Sequence, residues 1–372
     1  MAILQLQKNE DYNELSFPII DFIDIRELRK ILNYESTIGH GATGIACLYT
    51  DDQKKKYIVK FFFPMKDSNS DYEIMVMSKL YEKLNGCHEQ IICYEGYGRI
   101  EPSDDEYQPI VDEMREVLAD TTSDDGSKEL LEYMDGSYSI MFVISKYIEG
   151  YNLYEVITGE NNVPITMAKI NVYNFSLWLI GILSLLHKKG IIHTDIKPDN
   201  IIYTPEKCTS SKDKGSLACG HFNLIDFGTA CIVNPEQNTK RERGNILICK
   251  RGLVGTEYYT PRQFKKSALK ENDIFLPIDY VYQDVYASMV TIYNCLIGGM
   301  PFDDYYRFND VIENHQYNKI VSQDIINKMG HLLSEFFKDN NDTKIKTIYD
   351  IRKDLYPKYT IEYIHNRLLE MI

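Results

Sequence analysis

The stretch Ile191-Ile-His-Thr-Asp-Ile-Lys-Pro-Asp-Asn-Ile-Ile202 constrains this chain more than any other part of it. Apolar pairs at both ends predict short buried strands, and the loop between them holds Asp195, Lys197 and Asn200 within six residues. Twenty-six residues after Asn200, the segment Asn223-Leu-Ile-Asp226-Phe-Gly228 brings a second carboxylate to a predicted strand end. A carboxylate base, a lysine, and an Asn plus an Asp for metal are the groups that phosphoryl transfer requires around one phosphate.

Upstream, Ile38-Gly39-His-Gly41-Ala-Thr-Gly44-Ile-Ala46 has the G-x-G-x-x-G spacing, which dinucleotide sites share. In a dinucleotide fold a helix follows the glycines. Here Ile45 to Thr50 continues as a strand and turns through Asp51-Asp52-Gln53 into a second strand, Lys56 to Phe63. Residues without Cβ in such a hairpin let the backbone approach phosphate oxygens closely. Sixteen residues beyond Gly44, Lys60 stands between Val59 and the run Phe61 to Phe63, and a lysine so flanked needs a partner. Glu73 is the first candidate, on a predicted helix from Asp71 to Leu84 whose apolar residues are Ile74, Met77, Leu80 and Leu84. Glu82 is the fallback.

Taken in order, these motifs resemble those of the eukaryotic-type protein kinases, over about residues 34–302. The resemblance implies an α+β, bilobal fold with a small β-rich N-lobe and a larger, mainly helical C-lobe. It implies that Ile38, Gly39, Gly41, Gly44, Ala46 and Lys60 contact ATP, with Glu73 pairing to Lys60. Asp195 would orient the incoming hydroxyl and accept its proton, Lys197 would offset charge on the moving phosphoryl group, and Asn200 and Asp226 would hold Mg2+. A Lys two residues after the Asp resembles the serine/threonine branch. Gly255-Thr256-Glu-Tyr-Tyr-Thr-Pro261 resembles the substrate-docking turn, and Asp284 through Phe302 resembles the buried helix whose Asp284 holds the catalytic-loop backbone. The expected function is an ATP- and magnesium-dependent serine/threonine protein kinase acting on a protein substrate. The rival is a pseudokinase scaffold that binds a basic partner; a small-molecule or lipid kinase is disfavoured by the docking turn and the Asp284 helix.

Several positions depart from the family pattern. Thr194 replaces the Arg usually found before the catalytic Asp, an Arg that helps bind an activating phosphate. Thr239 is the one hydroxyl between Ala230 and Gly255, so activity is expected not to require phosphorylation there. Arg262 stands where the family usually has a Glu paired to a late Arg, so that pair is either lost or reversed in sign. Ser145, a small residue at the gate behind adenine, implies an enlarged back pocket. Asn152 at the ribose-contacting position implies a weaker sugar contact.

The expected organisation is an N-terminal extension over 1–33 with a helical segment from Asp21 to Leu32, an N-lobe over 34–145, and a C-lobe over 146–372 that diverges after 302. The N-lobe carries an insertion at 101–139 and the C-lobe one at 204–220, the latter read as a flexible hairpin tip. Residues 101–135 hold thirteen acids against Arg115 and Lys128, most of the formal charge of −14, and are expected to form a partly disordered surface loop. That charge argues against nucleic acid or an anionic membrane as partner. The longest apolar run, Leu177 to Leu186, is too short to span a bilayer and reads as a buried helix, and Met1 to Lys30 lacks a signal-peptide core. Eight irregularly spaced cysteines predict free thiols in a reducing, cytoplasmic setting, with zinc at Cys208, Cys219 and His221 disfavoured. The richness in Tyr, Ile, Asn and Lys resembles AT-rich genomes such as those of large DNA viruses and protists, for which that setting would be the host cytoplasm in the viral case.

Overall fold

Asp51 builds the hairpin that organises the first half of the chain. Its Oδ1 accepts the N–H groups of Gln53 and Lys55 at 2.9 and 2.8 Å, which closes the turn between β3 (Gly44–Asp51) and β4 (Lys56–Phe62). The computed structural model of the protein describes residues 21–41, 43–64, 70–105, 107–120, 138–163, 172–205, 220–233, 246–249, 255–264, 275–297 and 323–371. It is an α+β fold of two compact units, residues 1–148 and 149–372.

In the first unit, β3 and β4 join β1 (Asp21–Phe22), β2 (Leu32–Gly41), β5 (Tyr94–Ile100) and β6 (Ile140–Lys146) in one sheet of order β1-β5-β6-β4-β3-β2. Every pairing is antiparallel except β1 on β5. Helix α1 (Ile25–Ile31) begins at Asp24, whose side chain accepts the Arg26 N–H, and it buries Ile25 and Leu28. The segment expected as part of an N-terminal extension is therefore part of this unit from residue 21 onward. Helix α2 (Ser70–Leu84) buries Ile74, Met75, Val76, Met77 and Leu80.

The acidic insertion differs from its expectation. Residues 107–120 are a helix, α3 (Tyr107–Asp120), rather than a loop. Tyr107, Ile110, Val111, Met114 and Leu118 fall on one helical face and are buried in the same core as Ile45, Cys47, Tyr49 and Phe61. Five such side chains, at about 2 kcal/mol each, outweigh the reluctance of an acid-rich segment to order. The acids occupy the remaining positions and hid that spacing in the composition; residues 121–137 lie outside the described residues.

The second unit is mainly helical. Its first helix, α4 (Leu153–Thr158), follows the short strand β7 (Tyr151–Asn152) and starts with a capping box between Asn152 and Glu155. Helix α5 (Val172–Lys188), which contains the apolar run read from sequence, packs on α6 (Pro277–Ile297), and α6 is buried on all sides over Asp279–Leu296. Helices α7 (Gln323–Asn340) and α8 (Ile361–Leu369) follow, with short helical turns at Ile348–Asp350 and Ile351–Leu355 between them. Strands β8 (Ile191–Ile192), β9 (Ile201–Pro205) and β10 (Gly220–Leu224) bracket the polar loops, with Leu224 opposite Ile201 and Gly220 opposite Pro205. The tip of that β9–β10 hairpin, residues 206–219, lies outside the described residues, and with it Cys208 and Cys219. Among the described residues no helix is long and apolar enough to cross a membrane.

The expectation of free thiols is corrected at four positions. Cys87 is bonded to Cys93, and Cys231 to Cys249, while Cys47 and Cys295 are free and buried. Strands β11 (Cys231–Val233) and β12 (Ile246–Ile248) pair Ile232 with Ile248, and this register carries Cys231 opposite Cys249. Such a pairing depends on strand register, which cysteine spacing alone does not reveal.

Candidate active site

The loop at residues 193–200 is held at its start by one buried carboxylate. Asp284, on α6 and fully buried, accepts the N–H of His193 at 2.9 Å and of Thr194 at 2.7 Å, and it meets His187 Nε2 at 2.8 Å. Thr194 has φ 68°, a left-handed conformation unfavourable for a β-branched residue and costing about 1–3 kcal/mol. Asp284 and Gln283, whose Nε2 donates to the Thr194 carbonyl at 2.7 Å, hold the backbone in that state. Gly255 (φ 104°) completes the fit, because a Cβ there would lie 2.5 Å from the Thr194 oxygen.

On this support Asp195 meets Lys197, Asn200 and Thr256. Asp195 Oδ1 accepts from the Thr256 N–H at 2.9 Å and its hydroxyl at 2.8 Å; Oδ2 accepts from Asn200 Nδ2 at 3.1 Å and faces Lys197 Nζ at 3.1 Å. Lys197 Nζ also donates to Thr256 Oγ1 at 2.8 Å. The docking-turn threonine thus bridges the acid and the lysine. His193 fixes the loop from the other end: its Nδ1 accepts the Asp195 N–H at 3.3 Å, which leaves Nε2 to donate to the Ile225 carbonyl at 3.0 Å.

Asp226 follows directly, since the Ile225 N–H donates to the Asn200 carbonyl at 2.9 Å. Asp226 is itself left-handed at φ 58°, and its Oδ1 accepts the Gly228 N–H at 3.1 Å. Asn200 commits its amide nitrogen to Asp195, to the backbone oxygen at 2.8 Å and to Oδ2, so the group it has left for a cation is an oxygen. No group of three or more His, Cys, Asp or Glu among the described residues is placed to hold a metal by itself. One carboxylate and one amide oxygen nevertheless fit Mg2+, which takes few protein ligands and completes its shell with water and phosphate oxygens.

In the first unit Lys60 Nζ meets both carboxylate oxygens of Glu73, at 2.9 and 2.8 Å, and Glu73 is buried. Glu82 instead pairs with Lys79 at 2.6 Å. The glycines of the β2–β3 hairpin divide into two kinds. A Cβ on Gly44 would lie 2.0 Å from the Phe61 oxygen, so strand packing requires glycine there. Gly39 and Gly41 have open space where a Cβ would be, and packing leaves them free for a close approach by another molecule. Ile38 is half exposed, and Ala46 pairs with Gly39 and Lys60 across the sheet.

Three features escaped the sequence reading. Thr194 Oγ1 donates to the Thr229 carbonyl at 2.8 Å, which ties the catalytic loop to the segment after Asp226 without any phosphate. A late arginine does find a buried acid: Arg352 Nε and Nη2 reach Asp279 Oδ1 and Oδ2 at 2.8 and 2.6 Å. Burial pushes the Asp279 carboxyl above its ordinary value, and the two guanidinium bonds pull against that shift. Asn152 has both ends of its amide engaged, accepting from Tyr154 N–H and donating to the Asp199 carbonyl at 2.7 Å. Ser145 is buried on β6, opposite Ile58 and Tyr94. Thr239 lies outside the described residues, as do residues 298–302.

The family model for the protein kinase domain matches residues 32–356. The chain belongs to the protein kinase family. It is 27% identical to CBL-interacting serine/threonine-protein kinase 16 of Arabidopsis thaliana over 176 residues, 47% of this chain and 32% of that protein. It is 28% identical to serine/threonine-protein kinase pkn2 of Myxococcus xanthus over 162 residues, covering 43% and 16% of the two. With human 3-phosphoinositide-dependent protein kinase 1 the identity is 32% over 105 residues, 28% of this chain and 16% of the relative. The chain spans about a third of the length of the first of the curated relatives it matches.

Proposed function

We propose that the protein is an active serine/threonine protein kinase that uses Mg-ATP. The observation carrying this reading is the triangle of Asp195, Lys197 and Thr256, closed by hydrogen bonds of 2.8 to 3.1 Å. A binding scaffold has no use for a carboxylate oriented by three donors beside an ammonium group.

The acceptor hydroxyl oxygen bonds to the γ-phosphorus as the bond to the β–γ bridging oxygen breaks, and ADP leaves. Asp195 orients that hydroxyl and takes its proton. Lys197 offsets charge on the transferring group, with Thr256 holding both side chains in register. Asn200 Oδ1 and Asp226 would hold magnesium, which would offset phosphate charge when bound. Lys60, held by Glu73, would contact the phosphates, with the Gly39 and Gly41 backbone lying over them. The Thr194–Thr229 bond supports a catalytic loop that needs no activating phosphate.

The rival reading, a silent scaffold for a basic partner, draws on the exposed acids Asp112 and Glu116 of α3. Transfer of labelled γ-phosphate from Mg-ATP to basic and acidic acceptor proteins separates the two. Wild type should yield phosphoserine or phosphothreonine, and Asp195→Asn should lose on the order of a hundredfold or more in rate. Equal silence from both, with ATP still bound, would favour the scaffold.

A further inference from the structure

The β2 strand that carries the glycines is poorly held by its own sheet. Among the described residues it is an edge strand whose one strand partner is β3. Its ladder is broken twice, between Tyr34 and Ser36 and between Thr37 and Gly39, so that Glu35 and Ile38 are extra residues opposite an uninterrupted β3. Every residue from Asn33 to Gly41 except Thr37 is exposed. A strand with one partner and two bulges just ahead of its glycines has a wide choice of positions.

Helix α3 supplies what the sheet does not. Its apolar face is sunk against β3 through Tyr107, Ile110, Val111, Met114 and Leu118. From the flank of that face Glu113 reaches β2, where its Oε1 accepts the Tyr34 hydroxyl at 2.7 Å and also the Thr37 hydroxyl. The two hydroxyls lie 3.1 Å apart, and Thr37 Oγ1 also contacts Cys47 Sγ of β3 at 3.4 Å. The carboxylate therefore grips β2 on both sides of the first bulge and at the edge of the second, two residues before Gly39.

We propose that α3 positions the glycine-rich hairpin, and that Glu113 is the positioning residue through which it acts on nucleotide binding. The proposal rests on the nucleotide role assigned above to that hairpin. Anchoring of α3 is achieved by its five apolar residues and does not require Glu113, so the carboxylate's two bonds are directed at β2. A hairpin held in one position binds nucleotide without first having to be selected from others, and apparent affinity falls in proportion to the competent fraction.

The test compares the full chain with Glu113→Ala, Glu113→Gln and, as a control on the same helix, Glu116→Ala. Calorimetric Kd for Mg-ATP, KM and kcat for ATP in the transfer assay, and the thermal midpoint are measured for each. Glu113→Ala should raise Kd and KM about fivefold at unchanged kcat, the effect of a competent fraction reduced to about a fifth. Glu113→Gln should stay within about twofold of wild type, because an amide oxygen still accepts from both hydroxyls. Glu116→Ala should change nothing. Should Glu113→Ala fail to fold, the pair Tyr34→Phe/Thr37→Val removes the same bonds from the β2 side and should give the same KM shift. The proposal is overturned by an unchanged KM in the Ala variant or the pair, by Gln as damaging as Ala, or by a kcat that falls in step with the thermal midpoint. Wild type that neither binds Mg-ATP nor transfers phosphate overturns the nucleotide reading and the proposal with it; wild type active with an insensitive Glu113→Ala overturns the proposal alone.

Discussion

The two loops proposed to serve catalysis are built by opposite means. The loop around Asp195 is gripped through its backbone: Asp284, Gln283 and His193 each fix a main-chain group, and each is buried. The β2–β3 hairpin is gripped at side chains near the surface, by Glu113 on Tyr34 and Thr37. Buried backbone bonds leave a group with no solvent alternative, so breaking one costs its full desolvation. Bonds at the surface compete with water and hold more weakly. The contrast teaches that two loops proposed for one reaction are held at different depths of burial, one through buried main-chain groups and the other through side chains near the surface.

The hardest blow to this comparison would come from the buried side. Arg352→Ala leaves Asp279 with the Leu276 N–H at 2.6 Å as its remaining donor among the described residues and should cost about 3–5 kcal/mol, read from the denaturant midpoint. A loss below about 1 kcal/mol would mean that burial adds little to the worth of a bond in this protein, and would remove the ground of the contrast. Next, Gly255→Ala forces a Cβ against the Thr194 oxygen and should lower kcat about a hundredfold in a protein that still folds, since small misplacements of a catalytic loop have large effects. Hydrogen exchange sharpens the contrast directly: the amides of His193 and Thr194 should exchange about a hundredfold more slowly than those of residues 36–41. Equal rates would erase it. The smallest effect is expected from Thr239→Ala, which should leave activity within about twofold, because the Thr194–Thr229 bond needs no phosphate. Loss of activity there would show that the loop is held from outside after all.

Much of this was legible in sequence where a motif is short and local. The β3–β4 hairpin, the α2 helix and the order of the polar loops follow from alternation, turn residues and spacing. What stayed hidden joins distant or disguised residues. Asp279 and Arg352 stand 73 positions apart, and no local pattern pairs them. Cys231 and Cys249 are brought together by strand register. Helix α3 was disguised by its acids, although Tyr107, Ile110, Val111, Met114 and Leu118 were spaced for one face throughout.

The short strand β1 has a consequence for how copies of this chain would meet. Asp21 and Phe22 lie alongside Gly96 and Tyr97, and the Ile23 N–H donates to the Tyr97 carbonyl at 2.8 Å, so a stretch of β5 is covered that would otherwise be an open sheet edge. A fragment trimmed to start at Leu32, where the family match begins, would lose that cover together with Ile25 and Leu28. Its bare β5 edge and uncovered apolar core would offer a second molecule a place to add a strand, and turbidity rather than lost catalysis would be the first sign of the cut.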